Sequence, residues 1–336
     1  MPPNINPVEP ESVRLARMFR EAINADLDAQ IYFMAEKWVV LERIISGKIS
    51  DLLLEIEGIQ KSGDIVSDSA IRELARYKTL RDQVHQEIKT YNGMAEKMIA
   101  DKQLLYGERG IDNAANVITA SYEGRIGAFF NKLPVSAIEN MAGYLGDGTP
   151  LSKILNESFP LAWKQTSDAL FEGISLGLNP VQVAKNMVDG LGYGLEKATV
   201  IARTEQLRAY RQATVMEYRE SGVVRGFRRL VAKEGACIAC LLLDNEYYEV
   251  ESEFEDHPNG RCTVICILKG MPERKREIGI DWFKTLDTEQ QRSIMGAGHY
   301  EAWKDGQFKL GDMVHKTHSD TWGDAPAVVA LKDLAK

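Results

Sequence analysis

The sequence is short of cysteine and histidine and has no long apolar run. Its 336 residues include four cysteines and five histidines. No apolar stretch approaches the roughly 18 residues that a membrane-spanning helix needs, so no membrane contact is expected. The opening M-P-P-N-I-N-P-V-E-P has neither a basic nor an apolar segment, which argues against a secretory signal. Basic residues are outnumbered: 41 Lys and Arg against 49 Asp and Glu leave a net charge of −8. A surface of that sign does not coat nucleic acid non-specifically. Internal repeats and low-complexity segments are absent. The paired H-x-E and P-C-x-x-C of zinc deaminases do not occur. What remains is the composition of an ordinary soluble chain, long enough for about two domains.

The scarce cysteine is concentrated. All four fall in C-I-A-C-L-L-L-D-N-E-Y-Y-E-V-E-S-E-F-E-D-H-P-N-G-R-C-T-V-I-C, from Cys237 to Cys266. Cys237 and Cys240 form a C-x2-C. Sixteen residues separate Cys240 from His257, and four separate His257 from Cys262. Three thiolates and one imidazole can close a tetrahedron round Zn2+, and a C-x2-C knuckle puts two of the sulfurs on one tight turn. Asp244-Asn245 reads as a turn between strands that returns His257 and Cys262 to the knuckle. Cys266 is either a spare ligand or a small core residue. The competing reading is a reduced, metal-free mini-sheet with buried thiols. Such a cluster fits a reducing compartment better than a disulfide framework.

The pattern predicts an α+β chain: a mostly helical N-terminal half with a long helical hairpin, then a small antiparallel β module with the zinc knuckle. From Glu11, apolar residues at Phe19, Ile23, Leu27, Ile31, Met34, Trp38, Leu41, Ile45, Ile49 and Leu52 recur at helical spacing. Ser62-Gly63-Asp64 interrupts, and a second stripe runs from Ile71 to Leu105, completing the hairpin. Gly107-Glu-Arg-Gly110 reads as a break. Shorter helices are expected near 111–130, 135–145, 150–157, 160–176 and 180–189, with Thr149-Pro150 and Asn179-Pro180 as start signals. The glycine-rich 190–194 reads as a boundary, giving segments 1–110, 111–194 and 195–336. A helix from Leu195 to Ser221 carries A-R-T-E, with Arg203, Glu205 and Arg208 on a solvated face.

After Gly222, V-V-R-G-F-R-R-L-V-A, Tyr247–Val250 and Thr263–Leu268 read as strands, with β content confined to about 222–270. E-V-E-S-E-F-E-D suits an edge strand shielded by charge. Residues 222–276 hold nine basic and nine acidic residues, so the module is not a basic nucleic-acid reader. A short helix capped by Asp287 or Thr288 follows. Trp282, Phe283, Leu286, Ile294, Tyr300 and Trp303 are expected to strap the tail to the β module, before a last amphipathic piece at 326–335.

Five features occur in order: A-R-T-E, a strand with R-R-L, C-x2-C, H-P-N-x-R-C, and W-F-K-T-L-x-x-x-Q-Q-R-S-I-M-G. Over about residues 160–310 this resembles the head-morphogenesis or minor head proteins of tailed bacteriophages, the Mu F-like family. The family pattern has a cysteine where Gly260 stands, so one potential ligand is gone, leaving Cys237, Cys240, His257 and Cys262 as the matching metal quartet. The resemblance implies a structural, non-enzymatic protein in the virion, inside the phage head, assembled in the bacterial host cytoplasm. Its implied partner is the phage portal protein. Capsid or scaffolding protein and packaged DNA are further expected contacts.

The rival reading is a zinc-supported His-Asn-His-like nuclease with Asp256-His257 as its active pair. It lacks a second C-x2-C, and a metal quartet would consume His257 as general base. A DNA-binding factor would have to rely on patches such as Arg225, Arg228, Arg229 and Arg274-Lys275-Arg276.

Overall fold

A computed structural model describes residues 9–63, 67–122, 130–176, 178–233, 235–273 and 276–334. The expectations for residues 1–8, for 123–129 in the predicted 111–130 helix, for Arg274-Lys275 and for Ala335 lie outside the described residues.

The first apolar stripe forms the helix its spacing requires. α1 (Glu11–Lys61) is unbroken, and Leu27, Met34, Trp38, Leu41, Ile45, Ile49 and Leu52 are buried along it. After the short α2 (Asp68–Glu73), capped by the Ser67 hydroxyl, comes α3 (Ala75–Ser121). α1 and α3 run antiparallel. Arg76 donates to Asp51 O at 2.9 Å, and Tyr91 Oη to Met34 O at 3.3 Å. The Tyr91 ring also meets Trp38 edge-on, with ring centres 4.7 Å apart.

Two expected breaks are not breaks. Gly107 and Gly110 lie inside α3, and the 190–194 glycines lie inside α6 (Pro180–Glu220). These glycines permit close approach. A Cβ on Gly107 would sit 2.6 Å from Ile138 Cδ1, and one on Gly110 2.5 Å from the Tyr210 carbonyl oxygen. A Cβ on Gly190 would meet Thr166 N at 2.8 Å, and one on Gly194 the Trp38 ring at 2.6 Å. A helix glycine costs about 1 kcal/mol against alanine, and packing at these contacts offsets it. The long helices therefore replace the separate 111–130, 180–189 and 195–221 helices, while 135–145 forms two 3-10 turns.

The chain forms two compact units, and they do not follow the 1–110, 111–194 and 195–336 segments. One comprises residues 27–100 and 148–202, the other 1–26, 101–147 and 203–336. α1, α3 and α6 each contribute to both, so no linker composition marks the divisions. Among the described residues the first unit is all helical. Beside its parts of the long helices it holds α4 (Leu151–Asn156) and α5 (Ser158–Ser175). Asn179 Oδ1 accepts from Gln182 N at 2.9 Å at the start of α6, as the Asn-Pro signal predicts.

The second unit contains the sheet, in the order β2-β1-β3, all antiparallel: β1 (Val224–Leu230), β2 (Tyr247–Glu249) and β3 (Thr263–Leu268). Phe227 pairs with Tyr248 on one side and Cys266 on the other. α7 (Ile238–Leu243) interrupts β1 and β2, so Asp244-Asn245 is a helix-to-strand turn, with Asn245 at φ 75°. α8 (Gly279–Thr285), α9 (Thr288–Met295) and α10 (Ala297–Lys304) follow, α9 opening on an Asp287 capping box. Phe283 and Tyr300 share one apolar cluster with Cys240 and Cys262, with Trp282, Leu286, Ile294 and Trp303 packed against it. The tail is thus strapped down as its aromatics suggest.

Three details differ from expectation. Residues 250–256 continue no strand, because Arg219 takes the carbonyls of Val250, Glu251 and Ser252 at 2.8–2.9 Å. β4 (Val314–Ser319) and β5 (Gly323–Val328) form a separate hairpin beyond residue 270. Four central residues of β4 are exposed, so no apolar alternation announces it. The 326–335 piece is the end of β5 followed by α11 (Leu331–Leu334).

Glycine context yields a paired prediction. A Cβ on Gly47, mid-helix and exposed, meets nothing within 4 Å. Gly47→Ala should stabilise the full chain by about 0.5–1 kcal/mol. Gly110→Ala should destabilise it by about 1–3 kcal/mol, because backbone must move. Urea denaturation of both variants checks this, and equal shifts would refute the contact role of Gly110.

Candidate metal centre

The knuckle is built by a helix start. Cys237 is the N-cap of α7, and Leu241 N donates to its carbonyl at 3.1 Å. One turn on, Cys240 points to the same side. The opposing loop is a turn in which Gly260 N donates to His257 O at 2.8 Å and Asn259 takes φ 62°. Asn259 N donates to Thr204 Oγ1 at 3.1 Å, so the threonine of A-R-T-E on α6 pegs the loop.

His257 Nε2 lies 3.2 Å from Cys240 Sγ and 3.7 Å from Cys237 Sγ. Atoms bound tetrahedrally at about 2.0–2.3 Å from one zinc would lie roughly 3.5 Å apart. The ligand atoms of Cys237, Cys240 and His257 all lie within 4.8 Å of one another, close enough to hold a metal ion. Cys262 belongs to a second such group, with Cys240 and Asp256. The four sequence-predicted ligands thus come together as two overlapping triples that share the Cys240 sulfur. Cys266 stands apart on β3, 3.6 Å from Ser121 Oγ, where burial pushes its thiol up to about 12. It is a core residue and not a spare ligand.

The imidazole is already oriented. Its Nδ1 lies 2.8 Å from Pro258 O, and since a carbonyl can only accept, Nδ1 carries the proton. Nε2 is left facing the sulfurs, the nitrogen a metal would take in exchange for its proton, as expected of a metal-binding histidine whose far nitrogen is fixed by a backbone carbonyl. Without a cation the protons divide unevenly. Hydrogen bonds from Cys240 and His257 draw Cys237 down to about 4, and the same thiolate holds His257 up to about 9. The Cys240 thiol is pushed up, chiefly by that neighbouring thiolate. Adjacent thiols cannot both ionise here unless a cation joins them.

Behind the sulfurs lies a residue that spacing did not single out as structural. The Asp256 side chain is fully buried between two arginines, with Oδ2 2.8 Å from Arg211 Nη1 and Oδ1 3.0 Å from Arg229 Nη1. Burial works against its charge, but Arg211 and Arg229 outweigh it and hold its pKa down. Both oxygens are committed, and two cations stand over them. The second triple therefore offers Cys262 to a metal but not Asp256, whose place is behind the ligands. Arg211 also donates to the carbonyls of Gly260 and Cys262, each at 3.2 Å.

Gly260 takes on a meaning the missing cysteine concealed. A Cβ there would lie 2.2 Å from Asp256 Oδ2 and 2.4 Å from its Cγ. The space a side chain would need is filled by the Asp256 carboxylate. Two other readings are corrected. Glu205 is not on a solvated face: its side chain is fully buried and bound by Arg208. Of the arginines weighed as a DNA patch, the described ones are engaged in ion pairs: Arg229 with Asp256, Arg225 and Arg228 with one shared carboxylate, Glu273, and Arg276 with Asp244.

No family model, curated protein or solved structure matches this chain.

Asp256→Asn should leave Arg211 and Arg229 buried without a counter-charge and destabilise the fold by about 3–5 kcal/mol. Gly260→Ala should destabilise in the same direction by displacing the same carboxylate. Arg225→Ala, which removes an exposed pair, should change stability by less than about 1 kcal/mol. Thermal unfolding of the three variants checks the ranking, and wild-type stability in Asp256→Asn would contradict it.

Proposed function

We propose that this chain is a structural minor head protein of a tailed bacteriophage, and that Cys237, Cys240, His257 and Cys262 hold a structural Zn2+. One observation carries the reading. The scattered motifs that resemble the Mu F-like family meet round one buried centre. Thr204 of A-R-T-E holds Asn259 of H-P-N, and Arg229 of R-R-L binds Asp256. Phe283 of W-F-K-T-L packs in the cluster of Cys240 and Cys262. Residues engaged in holding one another support a module built for shape. Thiolates with one imidazole favour zinc among the abundant divalent ions. Such sites contribute about 10–16 kcal/mol of binding free energy in small zinc-binding peptides, which here would lock loop, helix and sheet together.

The same contacts weigh against the nuclease. His257 has one nitrogen on Pro258 O and the other facing sulfur, leaving none to activate water. His299 Nε2 lies 3.0 Å from Val329 O, and His85 stacks on Phe159. We read no catalytic centre among the described residues. DNA incubated with the protein and Mg2+ or Mn2+ should remain uncut, and cutting lost in His257→Ala would reverse that reading.

The proposed place is inside the phage head, reached from the host cytoplasm during assembly, with the portal as partner. Capsid or scaffolding protein and packaged DNA are neighbours in the same proposal. Within the helical unit, α1 exposes large apolar side chains opposite its core stripe, including Tyr32 at 68%, Val40 at 52%, Ile44 and Leu54, set among the exposed Glu36, Arg43 and Asp51. Burying such a face against a protein returns roughly 25 cal/mol per Å2. An anionic chain gains nothing comparable on phosphate.

Val40→Glu combined with Ile44→Glu should abolish co-purification with the portal ring while leaving the melting temperature unchanged. The wild-type complex should survive moderate salt, because its contact is apolar. Cys240→Ser should retain binding. If the double variant binds portal as the wild type does, the attachment is not on this face.

A further inference from the structure

The three sulfurs of the centre are not equivalent. Cys237 is half-buried, so a small solute reaches it, whereas Cys240 and Cys262 are buried. Cys240 is the sulfur that both triples share, and it lies within 4.8 Å of each of the other two. An accessible thiol with a second thiol close behind it is the arrangement of a reactive cysteine and its resolving partner. Cys266 takes no part. It is buried on β3, with Sγ 3.6 Å from Ser121 Oγ.

Mechanics choose between the two neighbours that Cys240 has. Cys237 is the N-cap of α7 and Cys240 lies in its first turn, so both sulfurs belong to one short element. Bringing them to a bond of about 2.05 Å takes side-chain rotation and the yielding of one helix end. Cys262 stands on a different element. Arg211 holds its carbonyl at 3.2 Å, and the next residue, Thr263, pairs with Leu230 in the sheet. Joining Cys240 to Cys262 would pull α7 against that sheet. The Asp256 pairs with Arg211 and Arg229 use no sulfur, so the loop keeps its frame in either thiol state.

We propose that Cys237 and Cys240 are a peroxide-reactive dithiol, which closes a reversible disulfide and thereby opens the metal centre. Hydrogen peroxide gives one oxygen to the Cys237 sulfur: the O–O bond breaks, a sulfenic acid forms and water leaves. The Cys240 sulfur then attacks the Cys237 sulfur. The S–S bond forms, the S–O bond breaks, and hydroxide departs with the Cys240 proton as a second water. The sulfurs have lost two electrons and the peroxide has gained them. Where zinc holds the thiolates, solvent supplies the two protons. The ion then leaves, because His257 and Cys262 alone do not fill its tetrahedron. A dithiol reductant restores both thiols by exchange. The disulfide stands on the sulfur positions, and only the release of the ion rests on the zinc reading.

The test treats the zinc-loaded full chain with hydrogen peroxide, then reads zinc release with a chromogenic chelator and tryptic peptides by mass. Cleavage after Lys233, Arg261 and Lys269 leaves Cys237 and Cys240 in one peptide and Cys262 and Cys266 in another. The expected product is the 234–261 peptide lighter by about 2 Da, with about one zinc released per disulfide. Reductant and fresh zinc should reverse both changes. Cys237→Ser should slow thiol loss at least about tenfold, and Cys266→Ser should leave it unchanged. The wild-type peptide map decides the matter if either variant misfolds. A cross-link between the two peptides, sulfinic acid at Cys237 without a disulfide, or thiols that stay reduced would overturn the proposal. A chain that holds no zinc yet forms the Cys237–Cys240 bond would support the dithiol and refute the zinc reading.

Discussion

The second unit depends on a single buried charge cluster. Asp256, its side chain fully enclosed, binds Arg211 of α6 and Arg229 of β1 at once. Three segments far apart in sequence are therefore fixed by one carboxylate. An isolated charge at that depth would be prohibitive, and one arginine alone would leave an acceptor unmet. With both, every oxygen is used, and Arg211 extends the network to the backbone of Gly260 and Cys262. The neighbouring His257 is carried on the same loop, so the geometry of the sulfur–imidazole centre follows from the position of Asp256.

Close packing sets the remaining terms. The loop can hold Asp256 only because residue 260 has no side chain. The long helices meet their neighbours at glycines for the same reason, at Gly107 and Gly110 in one unit and Gly190 and Gly194 in the other. In each case a residue type associated with flexibility serves as a contact surface. Within each unit, stretches of helices 51, 47 and 41 residues long are held where a missing side chain lets a neighbour come close.

Much of this was legible in the sequence, where pattern and physics coincide. The core stripe of α1 and the antiparallel return of α3 follow from periodicity, the three central strands from β-branched and aromatic runs, and the strap at 282–303 from its apolar residues. Cys237, Cys240 and His257 meet as their spacing implies. The rest was hidden for identifiable reasons. Glycine reads as punctuation until the atom its Cβ would strike is known. Asp256 looks like one acid in an acidic run, because only tertiary structure brings Arg211 and Arg229 to it. Glu205 follows the helical pairing rule with Arg208, which reports adjacency and not burial. The β4–β5 hairpin has exposed strands and no alternation to announce it.

The central claim is that the Asp256 cluster presents sulfur and imidazole to one metal ion. X-ray absorption at the zinc edge of purified full-length protein tests it most directly. The account predicts about one zinc per chain, with a shell of three sulfurs at about 2.3 Å and one nitrogen at about 2.0 Å. A metal-free protein, or a shell of oxygen and nitrogen without sulfur, would contradict it.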